Sequence, residues 1–347
     1  MSAIEVESLY KVFGKGAKNA VKDLSTGIHR GELQNKKVTA AVIDATFTVE
    51  DAEIFVVMGL SGSGKSTLLR MLNGLLPPTD GSIRIGDAEL GDLKGKALRE
   101  LRQQRLSMVF QHFALLPHRS VLDNVAFGLE IRGLTKEERR EKAREAVEMV
   151  GLSGWEDKLP AQLSGGMQQR VGLARALAAD TDILLMDEAF SALDPLIRQE
   201  MQDQLLELQK SLGKTIVFIT HDLNEAMKIG DRIAIMRDGR VIQIGTAEDI
   251  LLRPADEYVS EFIADVDRSR VLTAESIMEP AKLADTGEFA TVGADTPVTE
   301  LFEPAASSDD PLVVVGKDDD AIGMITQQRI LESLTTDDAG EERSPEA

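Results

Sequence analysis

The sequence predicts an α/β fold. It has a core with a mainly parallel sheet, antiparallel strands at its N-terminus and an inserted helical subdomain, followed by a small α/β C-terminal unit. Three observations predict it. Between residues 54 and 220, short apolar runs rich in β-branched residues alternate with helical stretches. From about residue 111 to 165 the alternation gives way to mostly helical sequence. From Asp267 onward the composition changes, to 6 basic against 19 acidic residues, a net of −13 within a chain of net charge −20. The expected organisation is a core domain over residues 1–266, a small domain over 267–334 and a disordered acidic tail over 335–347.

Taken in order, residues 4–9 alternate apolar and polar side chains, as a half-buried strand does, and Tyr10 to Gly14 follow. Residues 15–37 are polar, with several Gly and Lys, and read as an insertion of loop and short helix before alternation resumes at Val38. The apolar run 54–58 leads through a Gly-rich stretch into a helical 68–72. Residues 76–81 are a turn cluster and 82–86 a strand. Residues 97–105 read as a charged surface helix, and 106–110 as a strand that Gln111 closes. Thr135 and Glu138 form a capping box opening a helix to about Val150, with Gly151 as its stop. Residues 163–170 open another helix, and the buried strand 183–186 runs into Asp187 and Glu188. Pro195 begins a helix that stops near Gly213, and the strand 215–220 ends at His221 and Asp222. Asp238-Gly239 between two apolar runs is a hairpin signal, and helical stretches continue to about Ala264. In the small unit, residues 312–315 and 322–325 read as strands.

Composition narrows the function. The excess of 59 acidic over 39 basic residues argues against nonspecific nucleic-acid binding, which needs basic surface, so no nucleic-acid partner is expected. With no cysteine there is no disulfide or thiolate metal site, which fits a reducing compartment. No early segment reads as a secretory signal and none approaches the ~20 apolar residues of a membrane span. Any membrane role is therefore expected to come through a partner.

The stretch Gly59-Leu60-Ser61-Gly62-Ser63-Gly64-Lys65-Ser66-Thr67 matches G-x-x-x-x-G-K-[ST] between a strand and a helix, the context of a P-loop NTPase core. Its glycines let backbone N–H groups converge on phosphates, and the helix behind adds its positive end. Lys65 is expected to face the outer phosphates, and the Ser66 hydroxyl to ligate Mg²⁺. Asp187 ends a buried strand, where a carboxylate can reach that Mg²⁺. Glu188 is better aimed at water and is the natural general base. His221 could bond the outer phosphate or hold the attacking water; taken alone, it reads better as a packed loop histidine. Gln111 at a strand end is ambiguous in the same way. Ser164-Gly165-Gly166 before a helix is a second possible anion site.

As an ordered set, GLSGSGKST, Gln111, LSGGMQQR, ILLMDE, Ser191-Ala192-Leu193-Asp194 and His221 resemble the ATPase subunit of an ATP-binding cassette (ABC) transporter, over about residues 2–265. The resemblance implies ATP and Mg²⁺ as cofactors. It implies Gly59, Ser61, Gly62, Ser63, Gly64, Lys65, Ser66 and Thr67 as the phosphate loop, with Phe13 (or, less well placed, Tyr10) stacking on adenine. Ser66, Gln111 and Asp187 would face the metal, and Glu188, His221, Lys65 and Gln111 would carry catalysis. Ser164, Gly165, Gly166 and Gln168 are similar to the signature that contacts ATP held by a second copy, and Asp194 to the D-loop. The partners implied are a second copy of the chain (a homodimer), an integral membrane permease and an extracytoplasmic substrate-binding protein. The implied location is the cytoplasmic face of the cell membrane.

Asp187 to Pro195, the insertion between Phe13 and Val38, and Gln111-His112-Phe113-Ala114-Leu115-Leu116-Pro117-His118 resemble the glycine betaine/proline betaine (quaternary amine) importers. The cargo expected is a betaine- or choline-type compatible solute; the alternative is another amine, an amino acid or a sulfonate. A soluble mechanochemical ABC protein is a further alternative, but the tandem cassettes, long coiled coil or basic surface usual there are missing from the sequence. The small unit resembles a single CBS repeat, with Arg329 where nucleotide-binding repeats carry a ribose-binding Asp.

Overall fold

The computed structural model describes residues 2–111, 113–281, 289–318 and 320–335; His112 and the acidic tail expected beyond Thr335 lie outside them. The first unit begins with strand β1 (Ser2–Phe13), helix α1 (Ala17–Ser25), a 3₁₀ turn (Arg30–Lys36) and β2 (Thr39–Glu50). It continues with β3 (Ile54–Met58), α2 (Lys65–Leu72), β4 (Asp80–Ile85), β5 (Ala88–Glu89), α3 (Gly95–Arg105) and β6 (Leu106–Val109). Then come α4 (Val121–Val125), α5 (Phe127–Ile131), α6 (Lys136–Met149) and α7 (Gly165–Ala178). It ends with β7 (Ile183–Asp187), α8 (Pro195–Leu212), β8 (Thr215–Thr220), α9 (Leu223–Ile229), β9 (Arg232–Arg237) and β10 (Arg240–Gly245).

The strands form two sheets. One, in the order β2-β1-β4-β5, is antiparallel; the other, β10-β9-β3-β8-β7-β6, is parallel from β9 to β6. All five residues of β3 and all six of β8 are buried, which is why these strands read as unbroken apolar runs. The sheets share one core, in which Phe47 of β2 stacks on Phe55 of β3 at 5.1 Å between ring centroids. The insertion after Phe13 folds onto β1 and β2, with Ala20, Val21, Leu24 and Leu33 packed among Tyr10, Val12 and Ile43. The expected capping box is present: Glu138 N–H donates to Thr135 Oγ1 at 3.3 Å and Thr135 N–H to Glu138 Oε2 at 2.9 Å.

Parallel alignment brings the C-terminal ends of β3, β8 and β7 level, with Met58 paired to Thr220 and Asp187 to Ile219. This edge is where an open parallel sheet presents its ligand site. The β9–β10 turn, Asp238 (φ 53°) and Gly239 (φ 86°), is left-handed at both residues, as a tight two-residue hairpin requires. Gly239 N–H donates to Ser63 O at 3.0 Å, and Ile43 N–H to Gly239 O at 2.8 Å, so the turn ties the Gly-rich loop to β2.

A second compact unit begins at Gly245, before the composition shift at Asp267. It comprises α10 (Ala247–Leu252), α11 (Glu257–Phe262), α12 (Arg268–Val271), α13 (Ala274–Ile277), β11 (Glu279–Pro280), β12 (Thr291–Gly293), α14 (Val298–Ser307), β13 (Leu312–Val315), β14 (Ala321–Ile325) and α15 (Gln327–Leu334). Its sheet order is β11-β14-β13-β12, with β12 parallel to β13. Helix α10 joins this unit by packing: Thr273 Oγ1 donates to Glu248 Oε1 at 2.7 Å. Composition sees charge, not contact, and so marks the change later in the chain. Among the described residues no helix is long and apolar enough to cross a membrane.

Candidate functional site

The loop from Gly59 to Gly64 connects the buried end of β3 to the first turn of α2. Its glycines have distinct reasons. A Cβ at Gly59 would lie 2.2 Å from Met236 O, and one at Gly64 2.2 Å from Ala41 O, so the loop backbone packs directly on β9 and β2. Gly62 (φ 80°) faces open space. The Lys65 side chain is buried; its Nζ donates to Gly59 O at 2.7 Å and Leu60 O at 3.2 Å. Burial pushes its pKa down, against the opposing pull of the Glu188 and Asp187 charges. Among the described residues, Ser63 Oγ is buried without a hydrogen-bond partner.

Beside the loop, Ser66 Oγ donates to Asp187 Oδ1 at 3.1 Å, joining the start of α2 to the end of β7. Burial raises the Asp187 pKa, and the Ser66 hydrogen bond offsets part of that. Glu188 follows in a left-handed conformation (φ 45°), with its N–H donating to Ile219 O at 3.0 Å. This backbone is uncommon for a residue other than glycine, and such strain collects at functional sites. Gln111 Nε2 donates to Glu188 Oε2 at 3.1 Å, and His221 Nδ1 lies 3.2 Å from the same oxygen. Gln111 also reaches Ser191 Oγ at 3.4 Å, whose hydroxyl donates to Glu188 O at 2.9 Å. Two residues ambiguous in the sequence, Gln111 and His221, thus meet at one carboxylate.

The remaining sequence-predicted residues stand apart from that cluster. Ser164 is the N-cap of α7, accepting from Met167 N–H at 3.3 Å, and a Cβ at Gly165 would meet nothing within 4 Å. Gly166 faces α8, where a Cβ would lie 2.6 Å from Ile197 Cγ2. The Gln168 amide donates to Pro160 O and Leu163 O at 3.1 and 3.3 Å, holding the turn before α7. Asp194 is the N-cap of α8. Ser61 is exposed on the loop, and Thr67 is half-buried in α2. Phe13 is 41% exposed, whereas Tyr10 is buried, so of the two rings Phe13 is the one open to solvent. Lys11 Nζ sits 5.1 Å from the centre of the Phe13 ring and donates to Pro77 O at 2.5 Å.

The family model for the ABC transporter matches residues 42–191. The glycine betaine transport ATP-binding protein OpuAA of Bacillus subtilis (strain 168) is 58% identical over 280 residues, 80% of this chain and 67% of that protein. The chain belongs to the ABC transporter ATP-binding proteins. A second relative, the glycine betaine/carnitine transport ATP-binding protein GbuA of Listeria monocytogenes, is 52% identical over 94% of this chain and 81% of its own. Among solved structures, the dimeric ATP-binding cassette MJ0796 bound to ADP and Pi aligns with a TM-score of 0.60 at 32% identity, covering 70% of this chain and 98% of that one.

The cofactors of this ABC ATPase are ATP and Mg²⁺, and the residues present fit both. Among the described residues Ser63 Oγ is a buried hydroxyl without a partner, and the buried Lys65 ammonium donates to the backbone carbonyls of Gly59 and Leu60; both suit phosphate oxygens. The Ser66 and Asp187 oxygens form the hard donor pair that Mg²⁺ takes.

Sequence reasoning missed the supports behind this site. Arg175 Nη1 and Nη2 donate to Ala114 O and Phe113 O, 2.7 and 2.9 Å away, holding two successive left-handed residues after Gln111. Arg198 reaches Asp222 beside His221. Only Asp222 carried a local signal, three residues before Glu225 at the start of a helix.

Proposed function

We propose that this chain is the ATP-hydrolysing subunit of an importer for betaine-type compatible solutes. It would work as a head-to-tail pair at the cytoplasmic face of the membrane, bound to a permease fed by an extracytoplasmic substrate-binding protein. The observation that carries the hydrolytic part is the approach of Gln111 and His221 to the same oxygen of Glu188. Glu188 accepts the proton of the attacking water at its carboxylate. Gln111 and His221 fix the direction of that carboxylate. As water attacks the γ-phosphorus, the bond to the ADP oxygen breaks, and Lys65 balances charge on the outer phosphates. Ser66 and Asp187 would hold the Mg²⁺ ion, which when bound would neutralise charge on the phosphate oxygens. Phe13 offers its exposed ring to adenine.

The pairing of copies is supported by the exposed N-terminus of α7, where Ser164 and Gly165 lie open. A dimeric relative bound to ADP and Pi has the same fold. The cargo reading rests on OpuAA and GbuA, both named for glycine betaine transport. It is tested by purifying the chain with its permease and binding protein and assaying ATP hydrolysis against candidate solutes. Glycine betaine is expected to stimulate turnover. Stimulation by an amino acid or sulfonate, with none by betaine or choline, would sink the cargo assignment.

The second unit is best read as a CBS-like regulatory or dimerising module without a nucleotide site. Thr326 Oγ1 caps α15 by accepting from Arg329 N–H at 3.2 Å, and Arg329 Nε donates to Ile277 O at 2.9 Å, so both residues are spent inside the unit. The full chain carrying Lys65→Ala, which disables the phosphate loop, is expected to retain no adenine nucleotide in equilibrium dialysis. One nucleotide bound per chain in that variant would contradict the reading.

A further inference from the structure

The first turn of α8 touches two of the loops on which the proposed reaction depends, and one side chain spans them. Arg198 Nη1 donates to Asp222 Oδ2 at 2.7 Å, and its Nη2 donates to Leu193 O at 3.3 Å. Asp222 directly follows His221. Leu193 closes the turn that begins at Glu188, its N–H donating to Phe190 O at 3.2 Å, and precedes the α8 cap Asp194. The guanidinium therefore bridges the His221 loop and the loop leaving Glu188, with a planar fork that serves two acceptors at once.

Both ends depend on the contacts around them. The His221 side chain is 55% exposed, so its place is set largely by the backbone that carries it. Glu188 leaves its strand with φ 45°, a conformation that persists only when surrounding contacts enforce it. Asp222 is in turn rigid. Its Oδ1 accepts from Glu225 N–H at 3.1 Å and its own N–H donates to Thr220 Oγ1 at 2.9 Å. One turn further along α8, Gln202 Nε2 donates to Glu225 Oε1 at 3.2 Å, both side chains being buried, which secures α9 to α8 independently of Arg198. That second tie matters, because it lets the helices stay packed when the first is cut.

We propose that Arg198 is a positioning residue for hydrolysis: through Asp222 and Leu193 O it keeps the His221 imidazole and the Glu188 carboxylate at their 3.2 Å contact. The inference rests on the hydrolytic role given above to Glu188 and His221. It makes the salt bridge part of the turnover machinery rather than a fastening of two helices.

The test is steady-state MgATP hydrolysis by the full chain, with melting temperature measured alongside. Arg198→Met is expected to lower kcat about tenfold, a loss of roughly 1.4 kcal/mol in positioning, with KM for ATP unchanged. Arg198→Lys, which keeps the charge facing Asp222 but loses the fork, should recover part of that loss. Asp222→Asn, which keeps the Oδ1 cap, should reproduce it, and the double variant should be no slower than either single one, as expected for two ends of one interaction. Should Arg198→Met fail to fold, the lysine and asparagine variants carry the test. Wild-type kcat in Arg198→Met, losses that multiply in the double variant, or a fall in kcat that follows the melting temperature would each overturn the proposal. A failure of the inference alone leaves the Glu188→Gln collapse intact; a wild-type chain that hydrolyses no ATP overturns both readings.

Discussion

Glu188→Gln is expected to bind MgATP as well as the wild type and to hydrolyse it about 10²- to 10⁴-fold more slowly, the usual contribution of a positioned general base. The substitution is close to isosteric. An amide at position 188 still offers an oxygen to Gln111 Nε2 and a partner to His221 Nδ1, the contacts made at 3.1 and 3.2 Å in the wild type. What it loses is the ability to take a proton from water. The loss should therefore appear in kcat, with KM nearly constant, since binding falls to the Gly-rich loop and Lys65. Nucleotide binding is measured separately as the rise in melting temperature with added MgATP, which reports affinity by mass action without turnover. A variant with turnover within about threefold of wild type would remove Glu188 from the base role, because so small a change is under 1 kcal/mol of barrier.

Gly64→Ala is expected to destabilise the protein itself, and Gly62→Ala chiefly to damage binding. Both positions have positive φ, 109° and 80°, so each alanine bears a left-handed backbone cost of about 1–2 kcal/mol. The surroundings then separate them. At residue 64 the new methyl would sit 2.2 Å from the Ala41 carbonyl oxygen, a clash with backbone that cannot turn aside, whereas at residue 62 nothing lies within 4 Å. The clash moves α2 away from β2, so a total cost of about 3–5 kcal/mol and a clear fall in melting temperature without ligand are expected. Gly62→Ala should melt closer to wild type, yet its methyl projects from the open face of the loop, where phosphates would lie, and its melting temperature should respond little to MgATP. Equal losses of unliganded stability in the two variants would show that backbone conformation alone, not packing on β2, governs the loop.

The parts of the molecule legible in the sequence are those whose physics is local. The Gly-rich loop was readable because strand, loop and helix follow one another within about twenty residues, and each declares itself by apolar pattern, φ demand or helix start. The Thr135–Glu138 box, the Pro195 helix start and the Asp238-Gly239 hairpin were readable for the same reason: partner and cap lie within four residues. Gln111 and His221 were ambiguous because a polar residue at a strand end has many uses. Their meaning depends on which strands are neighbours, and the order β3-β8-β7-β6 is a tertiary fact. The compact unit that starts at Gly245 gathers α10 through contacts such as the hydrogen bond to Thr273, which leave no trace in charge, whereas the composition shift at Asp267 follows charge alone.

By itself, then, the sequence determined that this chain carries a phosphate-binding loop, a pair of carboxylates at a buried strand end and the ordered motifs of an ABC ATPase. Each of these is written in contiguous residues whose backbone demands are visible one at a time. Only the tertiary structure decided that Gln111 and His221 share one oxygen of Glu188, that Gly59 and Gly64 are glycines because β9 and β2 press on them, and that Arg198 bridges the loops behind the site. Apart from the short link from Arg198 to Leu193 O, these contacts join residues 23 to 177 positions apart in the chain. They exist only once the parallel sheet has brought its strand ends level, and no local pattern in a sequence can encode a distance across a sheet.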